Sequence, residues 1–445
     1  MIKRNSHENA AVILMHRPTK VTVFLAIVSI ASIVISSKTV NGQASDRPDV
    51  GFRAVSAERG GQDAEGPYEA VADWPKPLSQ LPGHEGWTWG TINGIYAESP
   101  NRVFILQRGE LPLLKRPAPT PLSEIGPSLS FPVAGEPFRN SGQGPVSSPP
   151  GPPGEAGAWK GKFGVDARWE HCLLVVNAAG YITEAWTQWD SLFKHPHAIF
   201  ENPYDPEKSV WVVDDGRSVI YKFSNDGKKL LQTIGTPNEQ GADDRHFARP
   251  TFIAWLPDST MFVADGYVNT RVVKFDKNGK YLMAWGQKGT PPNDTRPGYF
   301  NTVHGVAVDP VTRRVYVTDR QNDRTQVFDE NGKFLDQWIY GTIPPADGHD
   351  RGVYFLYMSA DRHVWVSDAS TSKIIEYDLN GKFMYSWGVH GDWPGALWGV
   401  HEMSVDQDGN FYVAEVEGGR VQKFRPRAGV NRALLIGPPP VLVSK

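Results

Sequence analysis

A chain of 445 residues is long enough for one large hydrophobic core or two of ordinary size. Its 46 Lys and Arg residues nearly balance 49 Asp and Glu residues, and no basic stripe interleaved with aromatics occurs, which argues against a nucleic-acid partner. The 44 Gly, 36 Pro and 15 Trp residues favour a turn-rich β protein, and the single cysteine, Cys172, excludes an intrachain disulfide.

The first 42 residues have the pattern of an export signal. Basic residues precede an apolar run over residues 21–36, and small residues at 40–42 offer a cleavage site. The run is shorter than the roughly 20 residues that a membrane-spanning helix needs, which favours cleavage over retention as an anchor. No cysteine follows the run, so a lipoprotein anchor is excluded. We therefore predict an exported protein, secreted or periplasmic, which an uncleaved signal would tether to a membrane.

Residues 43–80 are polar and weakly patterned, and we predict a tether there. From residue 81 to residue 430 one pattern recurs. It has an apolar strand, a turn, a short strand ending in an acidic residue, a third strand ending in Phe or Tyr, an Asp/Asn-Gly turn, and a strand that often ends in Trp. Two clear copies are VYVTDRQNDRTQVFDENGKFLDQW (315–338) and VWVSDASTSKIIEYDLNGKFMYSW (364–387). The acidic position is occupied by Asp214, Asp265, Asp319, Asp368 and Glu415.

These repeats predict an all-β fold, a six-bladed β-propeller with four antiparallel strands per blade. One such sheet cannot bury both of its faces, and radial packing around a channel solves this. The repeat resembles the NHL type, whereas a linear β-solenoid would need shorter and more uniform repeats. Blade one is interrupted by residues 110–168, whose Pro/Gly-rich composition predicts a long loop. Residues 431–445 are predicted to be a C-terminal tail.

Aligning the repeats on the acidic position brings six residues into register at the start of the innermost strands. These are Asn93, His197, Thr251, His304, Tyr354 and His401. Histidine thus occupies blades two, four and six, and no other blade. Because alternate blades are evenly spaced around a six-bladed ring, the three histidines should converge on the channel axis from three directions.

Three converging imidazoles predict a metal site. Three neutral nitrogen ligands with an open fourth position are the coordination set of catalytic Zn²⁺, so we predict zinc. Iron, manganese and copper stay open as alternatives. So does a purely structural role, in which the histidines hydrogen-bond only to water or to the backbone.

Residues that follow a second strand should lie at the same mouth of the channel, because that strand runs back to the face where the innermost strand starts. These are Arg108 in blade one, Tyr267 in blade three and Arg320 in blade four. The insertion 110–168 leaves from this rim, and we expect it to cover the site as a lid. Taken singly, the arginines could be ion-pair partners in loops and the tyrosine an interblade packing residue.

The chain from about residue 88 to residue 425 resembles peptidyl-α-hydroxyglycine α-amidating lyase. The motifs that carry the resemblance are FILQRG, HPHAI, FVADGYVNTRVVKF, RPGYFNTVHGVAVDP, TDRQNDR and GVHEMSVDQDGNFYVAE. The resemblance implies that the three histidines bind zinc. It also implies catalytic roles for Tyr267 and Arg108, and substrate binding by Arg320 together with Arg108.

The resemblance further implies a structural Ca²⁺ in the channel. Its ligands would be the carboxylate of Glu402 and the main-chain carbonyls of Ile95 and Ile199. The family has Asp at the position of Glu402. With one cysteine, this chain cannot form the disulfides of the family.

The implied activity is that of a carbon–nitrogen lyase, which cleaves a peptidyl-α-hydroxyglycine-like carbinolamide to an amide and glyoxylate. Zinc would act as a Lewis acid on the substrate hydroxyl, and Tyr267 would take the hydroxyl proton if Arg108 lowers the pKa of its phenol. Two alternatives stay open: a metal-dependent hydrolase such as a lactonase, and an exported propeller that binds a peptide, glycan or protein without turnover. We expect a monomer that takes a small-molecule or peptide substrate.

Overall fold

The computed structural model describes residues 66–113, 120–121, 130–131, 168–290, 294–340 and 352–440. Within these ranges helix occurs only as short 3₁₀ turns, at Leu78–Gln80, Thr187–Leu192, Arg320–Asn322 and Arg432–Leu434. None of the helices described is both long and apolar enough to cross a bilayer. The predicted signal at 1–42 and most of the insertion 110–168 lie outside the described residues.

Six four-stranded antiparallel sheets form the blades of a β-propeller, which confirms the predicted fold. Blades one to three contain the strands Ile92–Ser99, Arg102–Gln107, Leu173–Val176 and Ile182–Ala185; Pro196–Glu201, Val210–Asp214, Val219–Phe223 and Leu230–Ile234; and Pro250–Trp255, Met261–Asp265, Arg271–Phe275 and Tyr281–Trp285. Blades four and five contain Val303–Val308, Val315–Asp319, Arg324–Phe328 and Phe334–Ile339; and Val353–Met358, Val364–Asp368, Lys373–Tyr377 and Phe383–Trp387. The first strand of each blade is innermost and contacts the first strands of its neighbours around the channel.

Blade six closes the ring with strands from both ends of the propeller. Its three inner strands are Val400–Val405, Phe411–Glu415 and Arg420–Pro426, and its outer strand is Tyr68–Ala70. The prediction of a tether over residues 43–80 is therefore wrong for the part around Tyr68, whose side chain is fully buried. The physical reason is that a three-stranded last blade would leave an unpaired edge, and this segment covers it.

Short pairs of strands and a C-terminal extension lie outside the blades. The pairs are Trp87–Trp89 with Glu110–Pro112, Gln287–Lys288 with Tyr299–Phe300, and Thr120–Pro121 with Ser130–Phe131. Residues 431–440, within the predicted tail, pack against blades five and six. There the amide of Ala360 donates to the carbonyl of Pro438 at 2.7 Å, and Ile436 is buried.

In blades two, three, four and six the recurring acidic residue ties the blade to the loop at the channel mouth. Its carboxylate accepts a hydrogen bond from a backbone N–H just before the innermost strand: Lys194 to Asp214 at 2.6 Å, Ala248 to Asp265 at 2.9 Å, Asn301 to Asp319 at 2.7 Å, and Trp398 to Glu415 at 3.2 Å. An arginine at the start of the third strand also donates to the same acid in blades three, four and six. The loops that carry the candidate site are therefore anchored by charge-assisted bonds.

Candidate active site

The three predicted histidines meet in the channel. His197, His304 and His401 lie on the innermost strands of blades two, four and six, and all three side chains are buried. One ring nitrogen from each lies within 4.8 Å of the others. The ring centroids are 4.5–5.4 Å apart. The alternate-blade register thus brings three nitrogen donors to one point, as the sequence pattern predicted.

Each histidine is oriented by a main-chain carbonyl. The Nδ1 atoms lie 3.0 Å from the carbonyl oxygen of Thr251, 2.6 Å from that of Tyr354 and 2.7 Å from that of Asn93, for His197, His304 and His401 respectively. These carbonyls belong to the three other residues of the same register. A neutral imidazole that donates from Nδ1 carries its lone pair on Nε2, so all three rings can offer Nε2 to a common ligand.

The environment favours the neutral form of the histidines. Burial lowers the pKa of His401 to about 3 and the pKa values of His197 and His304 well below the usual range. Nearby histidines and the guanidinium groups of Arg108 and Arg320 act in the same direction. Neutral imidazole is the form that binds a metal ion, and the donor set fits zinc.

Tyr267 reaches the histidines from the second strand of blade three. Its hydroxyl oxygen lies 2.9 Å from Nε2 of His304 and 3.1 Å from Nε2 of His197. We expected Arg108 to lower the pKa of this phenol. Arg320, Arg108 and Arg249 all act in that direction, but burial outweighs them and the pKa is raised overall.

The two predicted arginines are both buried at this mouth. Arg108 is 4% exposed, and its Nε has no hydrogen-bond partner among the described residues. Burial lowers its pKa to about 10, so it stays protonated at neutral pH. The Arg320 guanidinium lies 4.3 Å from the centroid of the Tyr354 ring. Both arginines interact electrostatically with the Tyr267 hydroxyl, so two positive charges lie near this phenol.

Three further residues complete the mouth, and sequence reasoning missed them. Asp215 is fully buried and accepts hydrogen bonds from His195 and from both Nε (2.8 Å) and Nη2 (2.6 Å) of Arg249. The guanidinium of Arg249 in turn lies 4.7 Å from the centroid of the Tyr267 ring. These bonds and the nearby charges hold the pKa of Asp215 at about 2 despite its burial. Asp215 follows the second strand of blade two, so the rule that identified Arg108 and Arg320 would also have identified it.

Glu402 lies deeper in the channel, next to His401. Its Oε2 accepts a hydrogen bond from the amide of Ile199 at 3.2 Å, and the amide of Ile95 also donates to the carboxylate. Its Oε1 has no partner in the described ranges, and burial raises its pKa well above the usual value. The three residues proposed for calcium are thus close together, but they meet through N–H groups rather than carbonyls. The calcium site stays a prediction.

The insertion enters blade one between its second and third strands, as predicted. Its ends are described, where Glu110 pairs with Arg168 across the base, and so is the short strand pair Thr120–Pro121 with Ser130–Phe131. The predicted lid falls on residues outside the described ranges.

Known proteins similar to this chain are mainly amidating enzymes. The mouse peptidyl-glycine alpha-amidating monooxygenase is 32% identical over 292 residues, which is 63% of this chain and 25% of that protein. A probable peptidyl-alpha-hydroxyglycine alpha-amidating lyase of Caenorhabditis elegans is 28% identical over 234 residues, 53% of this chain and 65% of that protein. NHL repeat-containing protein 3 of mouse is 33% identical over 175 residues, 37% of this chain and 48% of that protein.

These matches cover only part of the relatives. The chain spans 16% to 25% of the length of the amidating monooxygenases of Xenopus laevis, rat and mouse that it matches. No protein-family profile matches it. Among solved structures, a streptogramin B lyase aligns with a TM-score of 0.42 and 13% identity over 81% of this chain and 97% of the other. The protein is thus a β-propeller that is similar in sequence to proteins named peptidyl-alpha-hydroxyglycine alpha-amidating lyase and NHL repeat-containing protein.

Proposed function

We propose that this protein is a zinc-dependent carbon–nitrogen lyase acting on a peptidyl-α-hydroxyglycine-like carbinolamide. The observation that carries the proposal is the position of the Tyr267 hydroxyl, within 3.1 Å of Nε2 on two of three converging histidines. This arrangement supports a role for Tyr267 as proton acceptor beside a metal ion that the three histidines would bind. The names of the homologous lyases support the same reaction class.

The reaction is an elimination in which atoms and charges balance. In R–CO–NH–CH(OH)–COO⁻ the hydroxyl loses its proton, the C–N bond breaks and the C–O bond becomes a carbonyl. The amide nitrogen gains a proton, so the products are R–CO–NH₂ and glyoxylate. A zinc ion bound by the three histidines would supply a Lewis acid for the hydroxyl oxygen and a positive charge that favours the phenolate of Tyr267.

Tyr267 would carry the proton in both directions. Its phenolate oxygen accepts the hydroxyl proton and then returns it to the leaving amide nitrogen. Burial alone makes the phenol a weaker acid, whereas the guanidinium groups of Arg320 and Arg108 oppose this effect. The two arginines therefore help to hold the negative charge on the oxygen when the proton has been taken.

Arg108 and Arg320 are also suited to bind the substrate carboxylate. The Nε of Arg108 is buried and has no hydrogen-bond partner among the described residues. A substrate carboxylate would satisfy this N–H with a charge-assisted hydrogen bond, which is stronger than a neutral one. Arg249 is committed to Asp215 by two hydrogen bonds and so is less suited to this role. The substrate carboxylate would bind to Arg108 of blade one and Arg320 of blade four, with the substrate hydroxyl toward the histidines.

The experiment that tests the lyase is glyoxylate release from a peptidyl-α-hydroxyglycine by the purified protein with zinc. We expect glyoxylate and peptide amide in equal amounts, at a rate far above the spontaneous reaction. The variant Arg108→Ala should bind the substrate more weakly than the wild type, so its rate of glyoxylate release should fall most at low substrate concentration. Turnover of a lactone without glyoxylate release would support the hydrolase instead. Tight peptide binding without any product would support a binding protein.

We also propose that the protein is exported. The support is the basic, apolar and small-residue order of residues 1–42. Mass spectrometry of the protein recovered from outside the cytoplasm should give an N-terminus near residue 43. A full-length mass in a membrane fraction would mean that the signal is retained as an anchor.

A further inference from the structure

A second cluster of histidines and carboxylates lies at the base of the insertion in blade one. Its centre is Glu110, whose carboxylate is fully buried. One oxygen of Glu110 lies 2.8 Å from Nδ1 of His84, and the other lies 2.6 Å from Nδ1 of His171. The two imidazole rings are 4.6 Å apart between centroids. A single carboxylate therefore fixes the orientation of both rings.

A third potential ligand lies near the two rings. One ligand atom each from His84, His171 and Glu170 lie within 4.8 Å of one another. The channel histidines meet the same distance criterion, and no other set of three does so in the part of the chain that the structure describes. Because Glu110 occupies both Nδ1 atoms, Nε2 is the nitrogen that each ring can offer to a metal.

Glu170 keeps an oxygen available although it forms an ion pair. Its Oε2 lies 2.7 Å from Nη2 of Arg168, and its side chain is 45% exposed. A carboxylate has two oxygens, so Oε1 can bind a cation while Oε2 holds the arginine. The exposure provides a route for an ion and for water ligands.

We propose that His84, His171 and Glu170 bind a second divalent metal ion of the zinc class, separate from the channel site. Two imidazole nitrogens and one carboxylate oxygen are a donor set of Zn²⁺ and related transition ions. With bonds near 2 Å, tetrahedral ligand atoms are roughly 3.4 Å apart, so separations of up to 4.8 Å need to shorten by at most about 1.4 Å when a metal binds. Glu110 is the carboxylate that orients and polarises both histidines, as the outer partners of metal-bound imidazoles commonly do.

The site would hold together the segment that carries Arg108. Glu110 and Glu170 flank the two ends of the insertion, and His84 belongs to the chain before blade one. The strand Glu110–Pro112 already pairs with Trp87–Trp89 beside the cluster. A metal here would therefore join the chain before blade one to the end of the insertion, and both of its histidines are bonded to Glu110, two residues from Arg108.

A cluster without metal is the competing explanation. In that case a protonated His171 would neutralise Glu110, and these partners do raise the pKa of His171. The groups that face His171 are Glu110, Asp190, Glu170 and the ring of His84. The two explanations differ in metal content, which can be measured directly.

The test is the zinc content of the purified protein after dialysis against buffer with a low, fixed zinc concentration. We expect two equivalents in the wild type, one in His84→Ala, and one in the channel variant His304→Ala. The Glu170→Gln variant keeps the fold because this side chain is half exposed, and it should bind the second ion at least ten-fold more weakly in chelator competition. Glu110→Gln should weaken it by about 10- to 100-fold.

His246→Gln is the matched control. His246 also lies between two carboxylates, Asp243 at 2.8 Å from Nδ1 and Glu239 at 3.4 Å from Nε2, but these lie on opposite sides of its ring. It should leave zinc content unchanged. Wild-type zinc content in both His84→Ala and Glu170→Gln would overturn the proposal, whatever the channel variant shows. So would an equal loss in His246→Gln, which would indicate adventitious surface binding.

Discussion

The tautomers of the channel histidines are determined by backbone carbonyls of the blades between them. Thr251, Tyr354 and Asn93 accept from Nδ1, and their own side chains are not needed for this. A carbonyl oxygen cannot change its protonation state or rotate away without breaking the sheet. The three Nε2 atoms are thereby held ready for one ligand, which is the kind of pre-organisation that a metal site requires.

Tyr267 is the residue whose substitution should separate chemistry from metal binding. Tyr267→Phe retains the ring that packs under Arg249 and removes only the oxygen that lies near His197 and His304. General-base catalysis contributes about 10²–10⁴ in rate, so kcat for glyoxylate release should fall by that factor. The measurement is steady-state kinetics on a peptidyl-α-hydroxyglycine.

The zinc content and melting temperature of the same variant provide its controls. Both should match the wild type, because no histidine loses its hydrogen bond to the backbone. A variant with near-normal kcat would eliminate Tyr267 as the base. Loss of zinc together with activity would assign it a role in holding the metal site.

Site residues that occupy a fixed position of the repeat could be predicted from the sequence, and site residues outside the repeat could not. The register of the innermost strands identified the three histidines, and the ends of the second strands identified Arg108, Tyr267 and Arg320. Asp215 obeys the same rule but stands next to the repeat acid Asp214, which obscured it. The cluster around Glu110 has no such signal, because His84 and His171 come together only through the base of an insertion.

At the scale of the blade, the recurring tryptophan and glycine have a common explanation. A Cβ on Gly227, Gly332 or Gly381 would lie 2.3–2.8 Å from the indole of Trp186, Trp285 or Trp338. Each glycine belongs to the turn before an outer strand, and each tryptophan lies within one residue of the end of the outer strand of the preceding blade. Each of these glycines has a positive φ, and its backbone packs directly on the indole ring, where a Cβ would not fit. Both requirements select glycine.

The closing strand, Tyr68–Ala70, is the outer strand of blade six and comes from the N-terminal side of the propeller. The glycine before it makes the same contact with a tryptophan. Gly66 precedes the strand Tyr68–Ala70, has φ +60°, and a Cβ there would lie 2.5 Å from Trp387 of blade five. It therefore occupies the place of the turn glycine in blade six. The sequence pattern could not predict this, because a three-residue strand and one glycine are too short to be recognised apart from the rest of the repeat.

Tyr68 is the main contact of this closing strand, and its loss should destabilise the ring. Its ring lies 5.6 Å from Trp387 and 5.5 Å from Phe411, and its hydroxyl accepts a hydrogen bond from Ile436 at 2.9 Å. Tyr68→Ala should lower the free energy of unfolding by about 3–5 kcal/mol, as expected for a large buried aromatic. Urea denaturation measures this.

Tyr181→Ala is the matched control for Tyr68→Ala, because the side chain of Tyr181 is 55% exposed. It should change the free energy of unfolding by no more than about 0.5 kcal/mol. If the two variants unfolded at the same urea concentration, the N-terminal strand would contribute nothing to closure.

Glu201 should make the stability of blades one and two depend on pH. Burial and the nearby carboxylate of Glu98 raise its pKa to about 8, although Lys208 and Arg102 oppose the shift. An unfolded glutamate titrates near pH 4.3, so the folded state retains a proton that the unfolded state releases between these values. The contribution of this group is therefore fully present below about pH 4 and is lost as the pH rises toward about 8.

Glu201→Gln tests this pH dependence, because an amide does not titrate. Relative to the wild type, the melting temperature of the variant should rise steadily between about pH 5 and pH 8 and then level off. Calorimetry at a series of pH values measures the difference. Glu207→Gln, at an exposed position of the same blade, should give a constant difference. A constant difference for Glu201→Gln as well would mean that its carboxyl ionises freely.

At the scale of the whole molecule, the candidate metal site depends on closure of the ring. His197, His304 and His401 come from three blades that are not neighbours in the chain, and no two of them share a sheet. The ligands can meet only when all six blades are packed. The histidines on blades two, four and six converge only in a closed ring of six blades. The repeat pattern therefore predicted the number of blades and the meeting of the histidines together.

This dependence predicts that zinc in the channel stabilises the propeller as a unit. An ion that binds only the folded state raises the free energy of unfolding by about 2.7 kcal/mol at a free concentration 100 times its Kd. Chelation should therefore remove both activity and this increment, and added zinc should restore both. The measurement is urea denaturation with and without zinc, in a Glu170→Gln background so that the proposed second site at His84, His171 and Glu170 contributes little. In that background His304→Ala should abolish the zinc effect, because two imidazoles on separate blades bind far more weakly than three. An undiminished zinc effect in His304→Ala would mean that the stabilising ion binds somewhere other than the channel.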